Sequence, residues 1–245
     1  MPNVVVVLDG NPTDRATFIE RAESRIAPLD GMETSHQEGD GWAAVWAIGE
    51  RIPRSSRSDR SGSTLLFGEA IDDSGRRLSA MDLSDQLARN PSATWSGFHL
   101  AIDVTGPGSL SASVDIMGIL PLYYWQGSGV TLIGTSIDLF YSHPRFRASF
   151  DARGLVGILM MNGLVGGRSL LEGVRRLDVR HRLWVRDGKL AEKEHYRPPQ
   201  IDPKLMELPI EGHVEILGEA LDAAMKRQTM PDVPHGILLS GGFDS

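Results

Sequence analysis

The stretch FHLAIDVTGPGSLSASVDIMGILPLYYWQGSGVTLIGT, residues 98–135, decides the fold. It contains apolar, β-branched and aromatic runs that are separated by turns rich in Gly, Pro and Ser. Short strands at this spacing are typical of a packed antiparallel sheet, and the aromatic side chains of residues 121–125 are expected in a core or an interface. The predicted strands are residues 98–104, 110–116, 121–125 and 130–135.

The sequence on both sides of this stretch continues the pattern. A β-branched strand is predicted over residues 3–8, and Asp187-Gly188 favours a type I′ hairpin turn. The polar sequence before Gly41 is predicted to be a loop, and the Arg/Ser-rich residues 51–60 to be a solvated loop in preference to a docking patch. Further predicted strands are residues 42–48, 64–71, 183–185 and 189–194, and the predicted helices are residues 13–26, 81–89 and 151–161.

The composition excludes several classes of protein. A net charge of −7 offers little to neutralise a nucleic-acid backbone or an anionic membrane, so neither partner is expected. The absence of cysteine excludes disulfides, thiolate zinc sites and a cysteine nucleophile, and the histidines lack zinc-protease spacing. The first residues carry no basic region or long apolar run, which predicts a cytoplasmic protein.

A proline-spaced segment, residues 197–210, is predicted to link two domains, because each proline favours extended backbone before it. Residues 211–226 have a helical apolar period, and residues 236–239 are predicted to form a buried strand. A helix, a strand and a glycine turn in this order are typical of the opening of an α/β nucleotide-binding domain. The predicted domains are therefore residues 1–196 and, after the linker, residues 211–245 as the beginning of a longer domain.

The turn SGGFDS, residues 240–245, carries the chemistry predicted for the second domain. Its two glycines let successive backbone N–H groups approach an anion, and its serine hydroxyls add donors. A carboxylate inside such a loop makes sense if Asp244 holds Mg²⁺ that bridges the phosphates. The turn lacks the lysine of a P-loop, so a kinase or motor ATPase is not indicated.

These motifs resemble the asparagine synthetase family, whose synthetase half begins with an SGGxDS loop. DIMGILPLYY at residues 115–124 and RSLLEGVRRL at residues 168–177 resemble two segments of the family's front half. In order and spacing the resemblance covers about residues 95–245. It implies that ATP is bound through its pyrophosphate, with Asp244 helping to bind Mg²⁺. The residues to which it assigns ATP are Ser240, Gly241, Gly242, Asp244 and Ser245.

The resemblance also implies the fold class. Residues 1–196 are expected to form an α+β domain like the N-terminal-nucleophile hydrolases, with stacked antiparallel sheets and helices, equivalent to a class II glutamine amidotransferase domain. The following residues are expected to begin an α/β ATP-pyrophosphatase domain of the adenine nucleotide α-hydrolase-like kind. Because the chain ends within the loop motif, it is expected to be a fragment or an ordered piece of a longer protein.

The family's glutaminase uses a cysteine that becomes the first residue after methionine removal. This sequence has Pro2 there and no cysteine elsewhere, so an inactive glutaminase is predicted and no catalytic residue is assigned. Within the family, lasso peptide macrolactam synthetases and β-lactam synthetases take their amine from another source. The predicted function is accordingly an AMP-forming, ATP-dependent ligase, and specifically a lasso peptide cyclase that adenylates a carboxylate and closes a macrolactam.

Three alternatives stay open: a β-lactam synthetase-like ring closure, a homologue of glutamine-hydrolysing asparagine synthase, and a non-catalytic scaffold or docking fragment. The expected partners are a peptide or small-molecule carboxylate substrate and, for a peptide cyclase, a precursor-peptide protease or a leader-binding protein. The family's remaining catalytic groups lie further along the chain than residue 245. The present segment alone is therefore expected to be inactive.

Overall fold

The computed structural model describes residues 2–50, 52–59, 62–229 and 234–242. The chain divides into two compact units, Met1–Pro198 and Pro199–Ser245. The division falls inside the proline-spaced segment of residues 197–210. This division does not by itself identify the fold type of either domain.

Strands build most of the first unit. In chain order they are β1 (Asn3–Leu8), β2 (Met32–Gly39), β3 (Trp42–Gly49), β4 (Arg54–Asp59), β5 (Gly62–Ile71), β6 (Ser96–Gly106), β7 (Ser109–Val114), β8 (Tyr123–Gly127), β9 (Val130–Gly134), β10 (Arg175–Arg176), β11 (His181–Arg186) and β12 (Lys189–Glu194). The helices are α1 (Pro12–Glu23), α2 (Ala80–Arg89) and α3 (Ala152–Met161). Every strand and helix predicted for this unit is present, with ends shifted by a few residues.

The strands form two six-stranded antiparallel sheets. The first has the order β10-β8-β9-β1-β3-β2 and the second the order β12-β11-β7-β6-β5-β4. In the first sheet Val5 pairs with Val45 of β3 on one side and with Gly134 of β9 on the other. Because β1 lies inside the sheet and is covered on both faces, it is an uninterrupted apolar run.

The two sheets stack on each other, and a helix covers the outer face of each. Alternate residues of β1 face opposite sides: Val4 and Val6 share a core with Phe67 of the second sheet, whereas Val5 packs with Phe18 of α1. Full burial of one such side chain stabilises the fold by about 1.5–3 kcal/mol. The contacts of α2 with the second sheet join Leu83 and Leu87 to Leu66, Ala70 and Ala101. This helix–sheet–sheet–helix arrangement confirms the predicted α+β architecture of stacked antiparallel sheets with helices.

The predicted hairpin between β11 and β12 is also confirmed. Asp187 and Gly188 both have positive φ, 49° and 70° respectively, as a type I′ turn requires. The turn sets a register in which Trp184 lies opposite Ala191.

Two predicted loops are instead edge strands. Residues 54–59 of the Arg/Ser-rich segment form β4, which pairs with β5, and the polar sequence before Gly41 contains β2, which pairs with β3. Each lies at the end of its sheet. The loop predictions were wrong because an edge strand is held by backbone hydrogen bonds on one side and carries polar side chains at little cost, so its sequence lacks an apolar signal.

The second unit contains a 3-10 turn, Pro203–Glu207, and helix α4, Ile210–Gln228. The helix predicted over residues 211–226 is confirmed. The buried strand predicted over residues 236–239 is not formed: these residues have no regular structure, and the side chain of Leu238 is 97% exposed. A strand needs a neighbour for its backbone groups, and the described part of this unit, residues 199–229 and 234–242, offers none. None of the helices within the described residues is long and apolar enough to cross a membrane.

Candidate functional site

The described part of the predicted phosphate loop is a tight, exposed turn in the second unit. Gly241 has φ +76°, a left-handed conformation that favours glycine, and the Gly242 N–H donates to Ser240 Oγ across 3.3 Å. The structure therefore brings Ser240, Gly241 and Gly242 together. Asp244 and Ser245, the predicted metal ligand and the second serine, lie outside the described residues.

The turn fits an anion in two respects. A glycine in the left-handed conformation beside a second glycine is the backbone geometry from which successive N–H groups point into one concavity. Apart from the two chain neighbours of Gly241, no heavy atom of the described residues lies within 4 Å of the position that a Cβ would take on it, so the approach to this backbone is open there. These three residues could thus hold a phosphate group. Asp244, the predicted Mg²⁺ ligand, follows Gly242 by two positions in the sequence.

The start of β1 is where the resemblance predicts a glutaminase nucleophile. Pro2 is buried there, and the Asn3 side-chain amide donates to the Ile26 carbonyl across 2.9 Å. The N–H of Val4 donates to Thr135 Oγ1, also across 2.9 Å. The strand itself, NVVVVL, has no nucleophilic side chain. The polar groups at this end of the strand therefore act in structural hydrogen bonds.

The segment Gly68–Ile71 begins with a glycine in a left-handed conformation. In the structure it belongs to β5 and pairs with β6. The Gly68 N–H donates to the Pro53 carbonyl across 2.8 Å, so this donor is already used. Glycine is required because φ is +83° and a Cβ would lie 2.1 Å from the Phe98 carbonyl oxygen. The structure thus gives Gly68 a packing role.

The conspicuous residues of the DIMGILPLYY segment are structural as well. Asp115 is 1% exposed, and its Oδ1 accepts hydrogen bonds from the backbone N–H groups of Met117 and Ile119, both across 3.1 Å. Its Oδ2 accepts from the Leu120 N–H across 3.3 Å. Gly118 supplies the positive φ of 63° within this turn. The aspartate and glycine of this motif therefore build the turn that leads into β8.

A cavity of about 580 Å³ opens between the two sheets at the end of β1. Asp9 lines it from the first sheet, and Gly108 and Gly188 line it from the second. The Gln126 side chain joins the two sides, because its Nε2 donates to Thr131 Oγ1 and to the Gly188 carbonyl, each across 2.9 Å. The sequence pattern did not reveal this cavity, because its fourteen lining residues, six of them glycines, come from segments far apart in the chain.

Asp9 is held in this cavity by a buried network. His143 Nε2 lies 3.1 Å from Asp9 Oδ2, while His143 Nδ1 accepts the Arg145 backbone N–H across 3.2 Å. Burial lowers the pKa of His143 and Asp9 opposes this shift, so the imidazole is neutral and Nε2 carries the proton. Arg145 lies 3.5 Å from Asp9 Oδ1 and 2.5 Å from Asp14. The charge of Asp9 is therefore balanced inside the protein.

The surroundings of Asp9 do not assemble a metal site. Among the described residues no group of three His, Asp or Glu side chains is arranged to hold a metal ion. Asp9 could have been identified from the sequence as a candidate site residue, because it directly follows a buried strand. His143 has no such signal, because 134 residues separate it from its partner.

Comparison with known proteins gives one match to a protein family. Residues 217–245 match the family model described as asparagine synthase, and this region contains the SGGFDS turn. Over 138 residues the chain is 26% identical to a curated protein named asparagine synthetase [glutamine-hydrolyzing] 3 of Bacillus subtilis (strain 168). That match covers 56% of this chain and 22% of the relative, so the chain spans a minor part of the relative's length.

Two solved structures resemble the fold. A structure described as the allosteric regulatory enzyme of purine biosynthesis is 9% identical with a TM-score of 0.47, covering 80% of this chain and 49% of that one. Glutamine phosphoribosylpyrophosphate amidotransferase from B. subtilis, complexed with ADP and GMP, is 12% identical with a TM-score of 0.47, covering 80% of this chain and 50% of that one.

Proposed function

We propose that this chain belongs to an ATP-dependent ligase of the asparagine synthase family that joins a carboxylate to an amine. The observation that carries the proposal is the match of residues 217–245 to the asparagine synthase family model, because this region contains the SGGFDS turn. The left-handed backbone at Gly241 and the open approach to it support the binding of phosphate at this turn.

In this proposal the turn binds ATP through its pyrophosphate. Ser240, Gly241 and Gly242 hold the phosphate oxygens, and Ser245 adds a hydroxyl donor. The substrate carboxylate attacks the α-phosphorus of ATP and gives an acyl-adenylate and pyrophosphate; the amine then attacks the acyl carbon and releases AMP. Mg²⁺ at Asp244 would neutralise the charge of the departing pyrophosphate.

In this proposal the amine comes from a source other than glutamine hydrolysis by this chain. The 245 residues contain no cysteine, and β1 offers no hydroxyl or thiol in the place where the family has its nucleophile. An amine held within the same substrate reacts at a high effective concentration. We therefore favour closure of a macrolactam in a lasso-type precursor peptide, with a precursor-peptide protease or leader-binding protein as partner. The need for ATP supports a cytoplasmic location.

A second candidate is a glutamine-dependent asparagine synthetase, which the name of the B. subtilis relative suggests. In that case a cysteine-containing subunit would have to supply ammonia. A β-lactam-forming ligase shares the adenylation step and differs in its substrate. These candidates are separated by adding glutamine and by following the product.

The test is release of pyrophosphate by the full-length protein with ATP, Mg²⁺ and peptides that carry an Asp or Glu side chain. We expect Ser240→Ala and Asp244→Asn each to reduce the rate by about 100-fold or more, the effect of losing one oxyanion or metal contact. The control Asp73→Asn, at an exposed carboxylate in the first unit, should keep the full rate. No pyrophosphate release with any carboxylate would rule out the ligase, and glutamate formed from glutamine would rule out the inactive glutaminase.

A further inference from the structure

The outer face of the second sheet carries a basic strip beyond the region that α2 covers. Along β11, Leu183 and Val185 face the core, which turns the alternate residues outward. The antiparallel register places each outward residue of β11 opposite an outward residue of β12. We call this surface the β11–β12 basic face; it consists of Arg182 opposite Lys193, Trp184 opposite Ala191, and Arg186 opposite Lys189.

The cations of this face have few anions beside them. Within the described residues Arg186, Lys189 and Lys193 take part in no ion pair, and all are exposed. The carboxylates beside the face are Asp187 and Glu194 at its rim and Asp103, which lines a smaller cavity with Trp184 and Arg186. Glu194 is already paired with Arg197. A concentration of unpaired positive charge is unusual on a chain with a net charge of −7. Its electrostatic complement is an acidic ligand.

Arg182 adds a buried positive charge beneath the face. Its side chain is 1% exposed, lies between the rings of Trp95 and Trp184, and donates to the carbonyls of Pro91 and Ala93. Burial lowers its pKa to about 10, so the guanidinium is charged at neutral pH. These hydrogen-bond partners are neutral, and Asp103 is the carboxylate whose charge acts on Arg182 and opposes the fall of its pKa.

The face has a shape as well as a charge. A cavity of about 470 Å³ lies over it, between Trp184, Ala191, the Pro91–Ser92 backbone and His195. The small side chain of Ala191, opposite Trp184, leaves room beside the indole. The guanidinium of Arg186 lies 5.2 Å from the centre of the Trp184 ring, so a cation–π contact orients it before any ligand binds.

We propose that the β11–β12 basic face binds an extended acidic segment of a peptide partner with the pattern acid–x–apolar–x–acid. Lys189 and Lys193 are four residues apart on one strand, which corresponds to about 13 Å. Two acidic side chains at i and i+4 of an extended peptide have the same spacing and lie on one face. The apolar residue between them then packs over Ala191 against Trp184.

The sheet offers backbone pairing to such a segment. β12 is the last strand of its sheet, so one edge of its backbone has no strand partner among the residues that the structure describes. A peptide added along this edge would gain main-chain hydrogen bonds, while its alternate side chains face the cations. Lysines on an edge strand can also serve to prevent self-association of the protein. In that case binding of an acidic peptide would not depend on the spacing of its acidic residues.

The test uses fluorescence anisotropy of a labelled peptide with the core Glu-Ser-Val-Ser-Glu, titrated with the protein without ATP. We expect saturable binding that weakens with salt and falls at least about tenfold in the double variant Lys189→Glu, Lys193→Glu. The control variant Lys204→Glu, Lys226→Glu makes the same charge change in the second unit and should bind as the wild type does. A peptide of the same composition with adjacent glutamates should bind at least about fivefold more weakly, since only one acid then meets a lysine.

A peptide of opposite charge tests the proposal even if the Lys189→Glu, Lys193→Glu variant is less stable than the wild type. A peptide with the core Lys-Ser-Val-Ser-Lys should bind the Lys189→Glu, Lys193→Glu variant more tightly than it binds the wild type. Equal affinity for the two glutamate peptides, equal loss in the control variant, or displacement by inorganic phosphate at the peptide's own concentration would overturn the proposal. None of these outcomes depends on the proposed ligase, because neither ATP nor residues 240–245 take part.

Discussion

His143 donates a hydrogen bond from Nε2 to Asp9 Oδ2 across 3.1 Å, although 134 residues separate the two along the chain. His143 is 1% exposed and Asp9 is 3% exposed. The bond ties the end of β1, at the wall of the 580 Å³ cavity, to the segment that follows β9. It is therefore a long-range constraint on the first sheet.

The Asp9–His143 bond should appear as a coupling between the two residues. In a double-mutant cycle of Asp9→Ala and His143→Ala, we expect an interaction free energy of about 1–3 kcal/mol, because each single variant leaves a buried polar group unpaired. The measurement is urea unfolding of the four proteins. The exposed pair His36 and Glu23, whose atoms are 2.7 Å apart, is the matched control and should couple by less than about 1 kcal/mol. Additive effects at Asp9 and His143 would contradict the role given to their bond.

Stability should fall in acid because of His99. Burial lowers the pKa of His99 to about 4; Asp115 opposes the shift, and Arg182 and His195 add to it. The folded state therefore disfavours the charged ring. The stabilisation that comes from keeping the His99 ring neutral is on the order of 3 kcal/mol. It is fully present above the unfolded pKa of about 6.5 and is lost as the pH falls towards 4.

The check on this prediction is the free energy of unfolding measured between pH 7 and pH 4. His99→Gln should flatten its dependence on pH, whatever the variant does to stability at pH 7. The same replacement at the exposed His36 should keep the wild-type slope. An unchanged slope in His99→Gln would show that other groups dominate acid unfolding.

Replacing the planar guanidinium of Arg182 by the amine of lysine should lower the stability of the protein. Arg182→Lys keeps the charge but cannot donate to the carbonyls of Pro91 and Ala93 from the same place, and it disturbs the cation–π contacts with Trp95 and Trp184. We expect a loss of about 1–3 kcal/mol in the free energy of unfolding by urea. Arg186→Lys, two residues along the same strand and exposed, should change it by less than about 0.5 kcal/mol. Equal effects of the two changes would contradict this account.

Two strand glycines should respond in opposite ways to a methyl group. Gly68→Ala puts a Cβ 2.1 Å from the Phe98 carbonyl oxygen at a φ of +83°, so we expect a loss of about 2 kcal/mol or more. Gly49 in β3 has no heavy atom within 4 Å of that position. Gly49→Ala should be neutral or stabilise by up to about 1 kcal/mol. Thermal unfolding of both variants measures the difference, and a tolerated Gly68→Ala would mean that the two strands are less closely packed.

The parts of the fold that were predictable are those whose own sequence carries the burial pattern. Central strands such as β1 are covered on both faces, so their apolar runs identify them, and Asp187-Gly188 specified its turn by the conformations it favours. The edge strands β2 and β4 were missed because their polar sequences fold only through pairing with a neighbour. The strand of residues 236–239 was predicted from apolar character, and among the residues that the structure describes it has no neighbour with which to pair.

The candidate sites show the same difference between features set by local sequence and features set by long-range contacts. The left-handed conformation of Gly241 was predictable because it depends on local sequence, whereas phosphate binding at Ser240, Gly241 and Gly242 stays a prediction. Asp9 and His143 come together only through the stacking of distant segments, which a pattern within one segment cannot reveal. The β11–β12 basic face depends on the hairpin register, which the turn sets. Which side chains face outward became clear only from the position of Leu183 in the core.

The most direct test of the central claim follows oxygen atoms from substrate to product. The full-length protein is incubated with ATP, Mg²⁺ and a peptide whose Asp or Glu side-chain carboxylate carries ¹⁸O, and the nucleotide products are analysed by mass spectrometry. Adenylation of the carboxylate predicts AMP that carries one ¹⁸O, formed together with pyrophosphate and the amide. Formation of ADP and phosphate, or AMP without the label, would contradict the account.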